Sequence, residues 1–170
     1  MKLNVKKSIL FALISALLIL PDQWTKQLAV QYLSDGTSIP LIPDILYLLY
    51  VENRGAAFGI LYGRQWIFYI ITIVVLFSIL YIVGRTPTDR RYRPLLLVSG
   101  LIFGGALGNF IDRVRQAYVV DFIYFRPIDF PVFNVADIFV TVGCFALVLL
   151  FLFYYKDDDF DFVKRRKDDH

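Results

Sequence analysis

From Trp66 to Val83 the chain carries no charged side chain at all. A segment of that length and character fits the hydrocarbon core of a bilayer, which about 20 apolar residues cross as a helix. Three further stretches pass the same test. The first is apolar only over residues 8–20, so a crossing helix must run on to 29 and carry Asp22 and Lys26 into its outer third. The others cover about 95–111, with Pro94 suited to a first helical turn, and 134–155, free of charge after Asp137. Hydrophobic residues make up 58% of the 170, above the roughly 45–50% of soluble domains. The expected fold is therefore a mainly α membrane protein of four transmembrane helices.

Lysine and arginine set the orientation. Twelve of the 18 lie before the first span, in the loop between the second and third, or in the tail from 156 onward. Lys26, Arg54, Arg64, Arg113, Arg115 and Arg126 lie on the other side. Both termini should be cytoplasmic, and the loops 30–65 and 112–133 should share the outer face. In these loops 39–42, 46–51 and 117–125 are rich in β-branched and aromatic residues, with Pro43-Asp44 as a turn. They predict a small, cradle-like extracytoplasmic β-sheet, its tyrosines and Trp66 in the interfacial belt. Residues 1–156 read as a single membrane domain, and 157–170 as a charged cytoplasmic tail, solvated and without fixed structure. No internal repeat is evident. A formal charge of +3 gives no excess to suggest nucleic acid as a partner. Lys2, Lys6 and Lys7 before the first apolar run resemble a signal peptide, but no small-residue cleavage site follows, so the segment reads as an uncleaved span.

Against this apolar background, residues 108–137 hold Asn109, Asp112, Arg113, Asp121, Asp129, Asn134 and Asp137. Ionisable groups at membrane depth are costly and mark functional sites. Asp22 and Lys26 are four apart and can pair on one helix face; the spacing alone fits either an ion pair at the membrane edge or part of a polar site. Asn53-Arg54-Gly55 with the small residues after it fits a turn, or an edge offered to an extended peptide. Asn109 lies within a span and needs hydrogen-bond partners; Asp112 and Arg113 would cap and neutralise that helix end, Asp112 orienting Arg113. Asn134 and Asp137 suit the cap of the last helix. Asp121, between Val120 and Phe122, should have a raised pKa if buried. Asp121 and Asp137 flank a short loop and can meet, and two such carboxylates share a proton and activate water. Asp129, in a proline-flanked turn, should be exposed. The only cysteine, Cys144, reads as a small buried hydrophobe, and the only histidine is the terminal His170. The usual nitrogen and sulfur ligands of zinc and an internal histidine base are thus missing, so neither a metal nor a cofactor is expected.

Asp22-Gln23-Trp24-Thr25-Lys26, Asn53-Arg54-Gly55-Ala56-Ala57-Phe58-Gly59, Gly108-Asn109-Phe110-Ile111-Asp112-Arg113, Val119-Val120-Asp121-Phe122 and Phe133-Asn134-Val135-Ala136-Asp137 follow one another in this order. The series resembles the lipoprotein signal peptidases (signal peptidase II), bacterial inner-membrane aspartic peptidases. The resemblance implies that Asp121 and Asp137 are the catalytic dyad and that Asp22, Lys26, Asn53, Gly55, Asn109, Arg113, Asn134 and Ala136 line or support the site. It implies as substrate a diacylglyceryl-modified prolipoprotein, cut on the amino side of its lipidated cysteine, with membrane lipids as the other partner and a monomer as the working unit. The loop 34–64 would clamp the substrate from above. The competing reading is a proton- or ion-coupled carrier, since intramembrane carboxylates also relay protons. The acids cluster at one face, however, and none lies at mid-depth in the last three spans.

Overall fold

The computed structural model describes residues 5–55 and 65–163 of the chain. Residues 56–59 of the second motif, Arg64, Lys2 and the end of the tail with His170 lie outside the described residues. Four long helices, α1 (Val5–Leu33), α2 (Gln65–Arg85), α3 (Arg93–Gln116) and α4 (Val135–Phe153), carry at one end a three-stranded antiparallel sheet. Its strands are β1 (Ile39–Ile42), β2 (Leu46–Asn53) and β3 (Val119–Phe125), in the order β1-β2-β3. The expected strand positions hold to within a few residues. Asp44 takes the turn between β1 and β2 at φ 61°, a conformation that Asp tolerates.

Three of the helices are long and apolar enough to cross a membrane: Trp66–Arg85, Arg90–Gln116 and Val135–Phe153. Their outward surfaces are apolar, with Ile70, Val74 and Phe77 of α2 and Phe145 and Leu152 of α4 all exposed. Cys144 is also exposed, which corrects the expected burial. Its neighbour Gly143 is the residue turned inward, against Leu101 and Ile102. On a membrane helix the outward face is as apolar as the core, so a hydrophobic environment in the sequence does not report packing.

Helix α1 buries a stripe at helical spacing, Phe11, Ser15, Asp22, Lys26, Ala29 and Leu33, its last two residues against β3 and much of the rest along α3. The approach is close because Gly100, Gly104 and Gly108 recur every fourth residue along α3; a Cβ there would lie 2.6 Å from Ile14 Cγ2, 2.9 Å from Leu18 Cβ and 2.6 Å from Asp22 Oδ2. Gly105 does the same for α4. Small residues are how helices gain contact where lipid supplies no hydrophobic drive between them.

Two expected boundaries change. Helix α3 runs to Gln116, so Asp112 and Arg113 are helical residues and the outer loop begins later than 112. The start of the tail is also ordered: Asp157–Phe160 forms a 3-10 turn. Phe160 packs on Phe151 and Tyr155, Phe162 on Tyr92, and Arg91 holds Asp159 at 2.6 Å. The acidic composition concealed two aromatic anchors, which dock this segment on the helix ends opposite the sheet.

A side chain at Gly105 would place its Cβ 2.5 Å from the Ala136 carbonyl oxygen and 2.8 Å from Val140. Gly105→Val is expected to cost about 1–3 kcal/mol by overpacking, read as a lower Tm in detergent. An unchanged Tm would show that the α3–α4 contact is looser than described.

Candidate active site

The polar residues gather where the sheet meets the ends of α1, α3 and α4. Their centre is Lys26, 3% exposed. Its ammonium lies 2.9 Å from Asp22 Oδ2 and 2.9 Å from Asp112 Oδ2 and donates to Asn109 Oδ1 at 2.9 Å. The remaining oxygen of Asp22 accepts the backbone N–H of Ala136 at 2.9 Å. Gln23 Nε2 donates to Asp112 Oδ1 at 2.8 Å, and Val120 N–H to Asp112 Oδ2. The pairing of Asp22 with Lys26 is thus realised, deep in the protein and not at its edge.

Val120 and Phe122 pack on Ala29 and Leu33 of α1. Asp121, between them on a strand, must therefore point to the opposite face. There Asn53 Nδ2 donates to Asp121 Oδ2 at 2.7 Å and Asn134 Nδ2 to Asp121 Oδ1 at 2.6 Å. Only 2% of Asp121 is exposed. Burial first, and the nearby charge of Asp137 second, push its pKa up to about 7, against the opposing pull of the two amides.

Asn53 reaches Asp121 because of a bulge in β2. Leu48 pairs with Ile123 but Val51 with Asp121, so one extra residue sits in β2 between them. A one-residue slip exchanges the two faces of a strand. It brings Asn53, opposite Val119, to the face that Glu52 would otherwise share with Asp121.

Asp137 arrives from α4. Phe133 pairs with Ile123, which returns the chain alongside β3 and sets Asn134 beside Asp121. Asn134 caps α4: its side chain accepts Asp137 N–H at 3.0 Å while its own N–H donates to Asp137 Oδ2 at 3.1 Å, a reciprocal box. The capping reading of this pair is correct, and the same pair also builds the site. Asn109 Nδ2 donates to Asp137 Oδ1 at 2.8 Å. Arg113 lies over the ring of Phe68 at 4.7 Å, where its charge is felt by both Asp137 and Asp121. Gly55 N–H donates to Asn53 Oδ1 at 3.0 Å and so orients that amide.

All ten residues expected at the site therefore fall in one connected region. Asp112 corrects its expected role, since it pairs with Lys26 and not with Arg113. Gln23 and Gly108 were not foreseen. The signal for Asp112 was its position three residues after Asn109, on the same face. Gly108 is required because Asp22 occupies the space of its Cβ. Asp129 is exposed and accepts the Tyr124 hydroxyl at 2.7 Å, apart from this network.

Residues 14–153 match the sequence pattern of the family described as signal peptidase (SPase) II. The chain belongs to the signal peptidase II family. Among its relatives, the lipoprotein signal peptidase of Anoxybacillus flavithermus is 46% identical over 88% of this chain and 87% of its own length. That of Streptococcus pyogenes serotype M1 is 41% identical over 91% and 98%. A bacterial membrane enzyme solved by the in meso method at 2.3 Å superimposes with a TM-score of 0.76 and 35% identity, over 99% of this chain and 98% of that one. A second, at 1.9 Å, gives 0.75 and 37%, over 91% and 97%. Like the members of its family, this signal peptidase II chain is a multi-pass membrane protein, and its polar network is the part of the fold that lipid alone would not tolerate.

Removing Lys26 leaves two buried carboxylates without their cation. Lys26→Met is expected to destabilise the protein by about 3–5 kcal/mol, seen as a collapse of Tm in detergent. A loss under about 1 kcal/mol would mean that the two acids find other partners.

Proposed function

We propose that this chain is a membrane aspartic endopeptidase that removes the signal peptide of diacylglyceryl-modified prolipoproteins, cutting on the amino side of the lipidated cysteine, with Asp121 and Asp137 as the catalytic pair. The observation that carries it is the shared scaffold of the two carboxylates: Asn134 binds Asp121 through its amide and Asp137 through its backbone. In this reading Asp121 enters the reaction protonated, as its raised pKa favours, and Asp137 enters as the carboxylate. Water attacks the scissile carbonyl carbon as its proton passes to Asp137, and Asp121 gives its proton to the carbonyl oxygen, forming a gem-diol. The C–N bond then breaks: the proton held by Asp137 goes to the leaving amine, and a gem-diol hydroxyl returns its proton to Asp121 as the carbonyl of the acid product re-forms. Both acids end as they began.

The eight other residues have supporting roles. Asn53, Asn109 and Asn134 orient the dyad, Gly55 orients Asn53, and Asp22, Lys26 and the Ala136 N–H fix the helices that carry it. Arg113 supplies a cation beside the dyad. Four spans, α1 included, would place both termini in the cytoplasm and the sheet on the outer face of the inner membrane. Residues 1–156 would act as a single monomeric domain, with 157–170 its cytoplasmic tail. A diacylglyceryl anchor would hold the cleavage site at that outer depth, each buried methylene adding roughly 0.8 kcal/mol. A carrier would need ionisable groups along a path through the helices; the buried acids of this chain gather instead at one end.

Cleavage of a lipid-modified precursor by the purified protein tests the pair. Asp121→Asn and Asp137→Asn should each lower kcat/KM by roughly 10²–10⁴-fold, while Asp129→Asn stays near wild type. Full activity in both dyad variants would refute the assignment. The pH profile gives a separate check: activity should fall as pH rises through about 7, where Asp121 loses the proton it must donate. A profile flat well into the alkaline range would remove Asp121 as the acid.

A further inference from the structure

At the end of the helices away from the sheet, two cavities adjoin along α1. One, of about 300 Å³, is lined by Lys6, Lys7, Thr86, Asp89 and Arg93. The other, of about 520 Å³, is a groove between α1, α2 and α3 among Phe11, Ala12, Ala16, Val83 and Phe103. Lys7 lines both. Its ammonium donates to Thr86 O at 2.6 Å, which holds the end of α2 against α1 and keeps a positive charge where the polar cleft opens into the apolar groove. Lys6 and Arg93 are exposed at the rim. Three cations thus face one carboxylate, and that carboxylate, Asp89, already accepts the Arg91 N–H at 2.7 Å.

The geometry points to a binding site for an anionic glycerophospholipid, its phosphate held by Lys6 and Arg93 beside Lys7 and one acyl chain laid in the groove. An apolar groove that ends in a cationic cleft is complementary to a molecule with an apolar body and an anionic head, and basic pockets between membrane helices bind such head groups. Two other occupants fit less well. A signal-peptide helix has a positively charged amino-terminal region, which these same cations would repel. A second copy of this chain would bring its own Lys6, Lys7 and Arg93 to the contact. The cationic cleft lies at the end of α1 away from the sheet, and the groove runs along α1 as far as Ile19, one turn short of Asp22; no residue of the polar network lines either cavity, so the proposal is separate from the peptidase reading and does not depend on it.

The test is lipid retention by the purified full-length protein in detergent, followed by native mass spectrometry with added phosphatidylglycerol or phosphatidylcholine. Phosphatidylglycerol should be retained in preference, and Lys6→Gln/Arg93→Gln should weaken its retention roughly tenfold or more, since each surface cation contributes about a factor of five. Ala12→Trp, which fills the groove and leaves the cations in place, should also weaken it. Equal retention of both lipids, or of phosphatidylglycerol by the double variant and wild type alike, overturns the proposal. So does competition by glycerol phosphate as effective as that of the intact lipid, which would assign the cleft to a free phosphate. Displacement of the lipid by a synthetic signal peptide would give the groove to the peptide and overturn it likewise.

Discussion

A single ammonium group holds three of the four long helices, α1, α3 and α4, in register. Lys26 and Asp22 come from α1, Asn109 and Asp112 from α3, and the second oxygen of Asp22 captures the first turn of α4 through Ala136 N–H. Buried charge contributes little net stability, because desolvation offsets the Coulomb gain, yet breaking such a cluster costs several kcal/mol. That asymmetry suits a membrane protein. Apolar contacts between helices in lipid do not prefer one register strongly over its neighbours; a cation that needs three acceptors does. The glycines of α3 allow the approach, and Lys26 selects which approach is used.

The sheet depends on the same cluster. Val120 N–H donates to Asp112, so β3 is tied directly to the carboxylate that Lys26 neutralises. Once β3 is fixed, Asp121 is fixed on the face away from Ala29 and Leu33. The bulge in β2 then decides which side chain meets it. Without the extra residue Glu52 would take the place of Asn53 and a third carboxylate would crowd Asp121 and Asp137. With it, Glu52 turns outward to Arg54 and an amide that only has to donate reaches Asp121.

How much of this could be read from the residues alone follows from what each signal reports. Charge-free length located the apolar helices, and β-branched runs located the strands, because both patterns are properties of the chain itself. Asn109, Asp121 and Asp137 stood out because polar groups in apolar surroundings have few explanations, whereas the roles expected of Asn53, Gly55 and Ala136 rested on the resemblance of the motifs to the family. Asp112 was misassigned because Arg113 is its neighbour in sequence, whereas across space the partner is Lys26, and no local pattern encodes a contact between α1 and α3. Cys144 was misassigned because lipid and protein core ask for the same side chains. The start of the tail was misread because the density of charged residues outweighed Phe160 and Phe162 in the composition, while in the fold these two rings and the Arg91–Asp159 pair decide its place. The β2 bulge has no sequence signature that we recognise.

The division of the four buried or half-buried acids into two kinds follows from where the cations sit. Asp22 and Asp112 each lie 2.9 Å from Lys26 and are committed to it. Asp121 and Asp137 meet only amides and backbone N–H groups directly, with Arg113 held at a distance over Phe68. Two cations among four acids leave an excess of two negative charges if every acid ionises, and of one if a single proton is kept. Burial penalises each uncompensated charge, which favours keeping one proton and raises the pKa of the more deeply enclosed acid, Asp121. In the proposed mechanism, the pairing of Lys26 with Asp22 and Asp112 is thus what leaves one proton and one negative charge to be shared between Asp121 and Asp137.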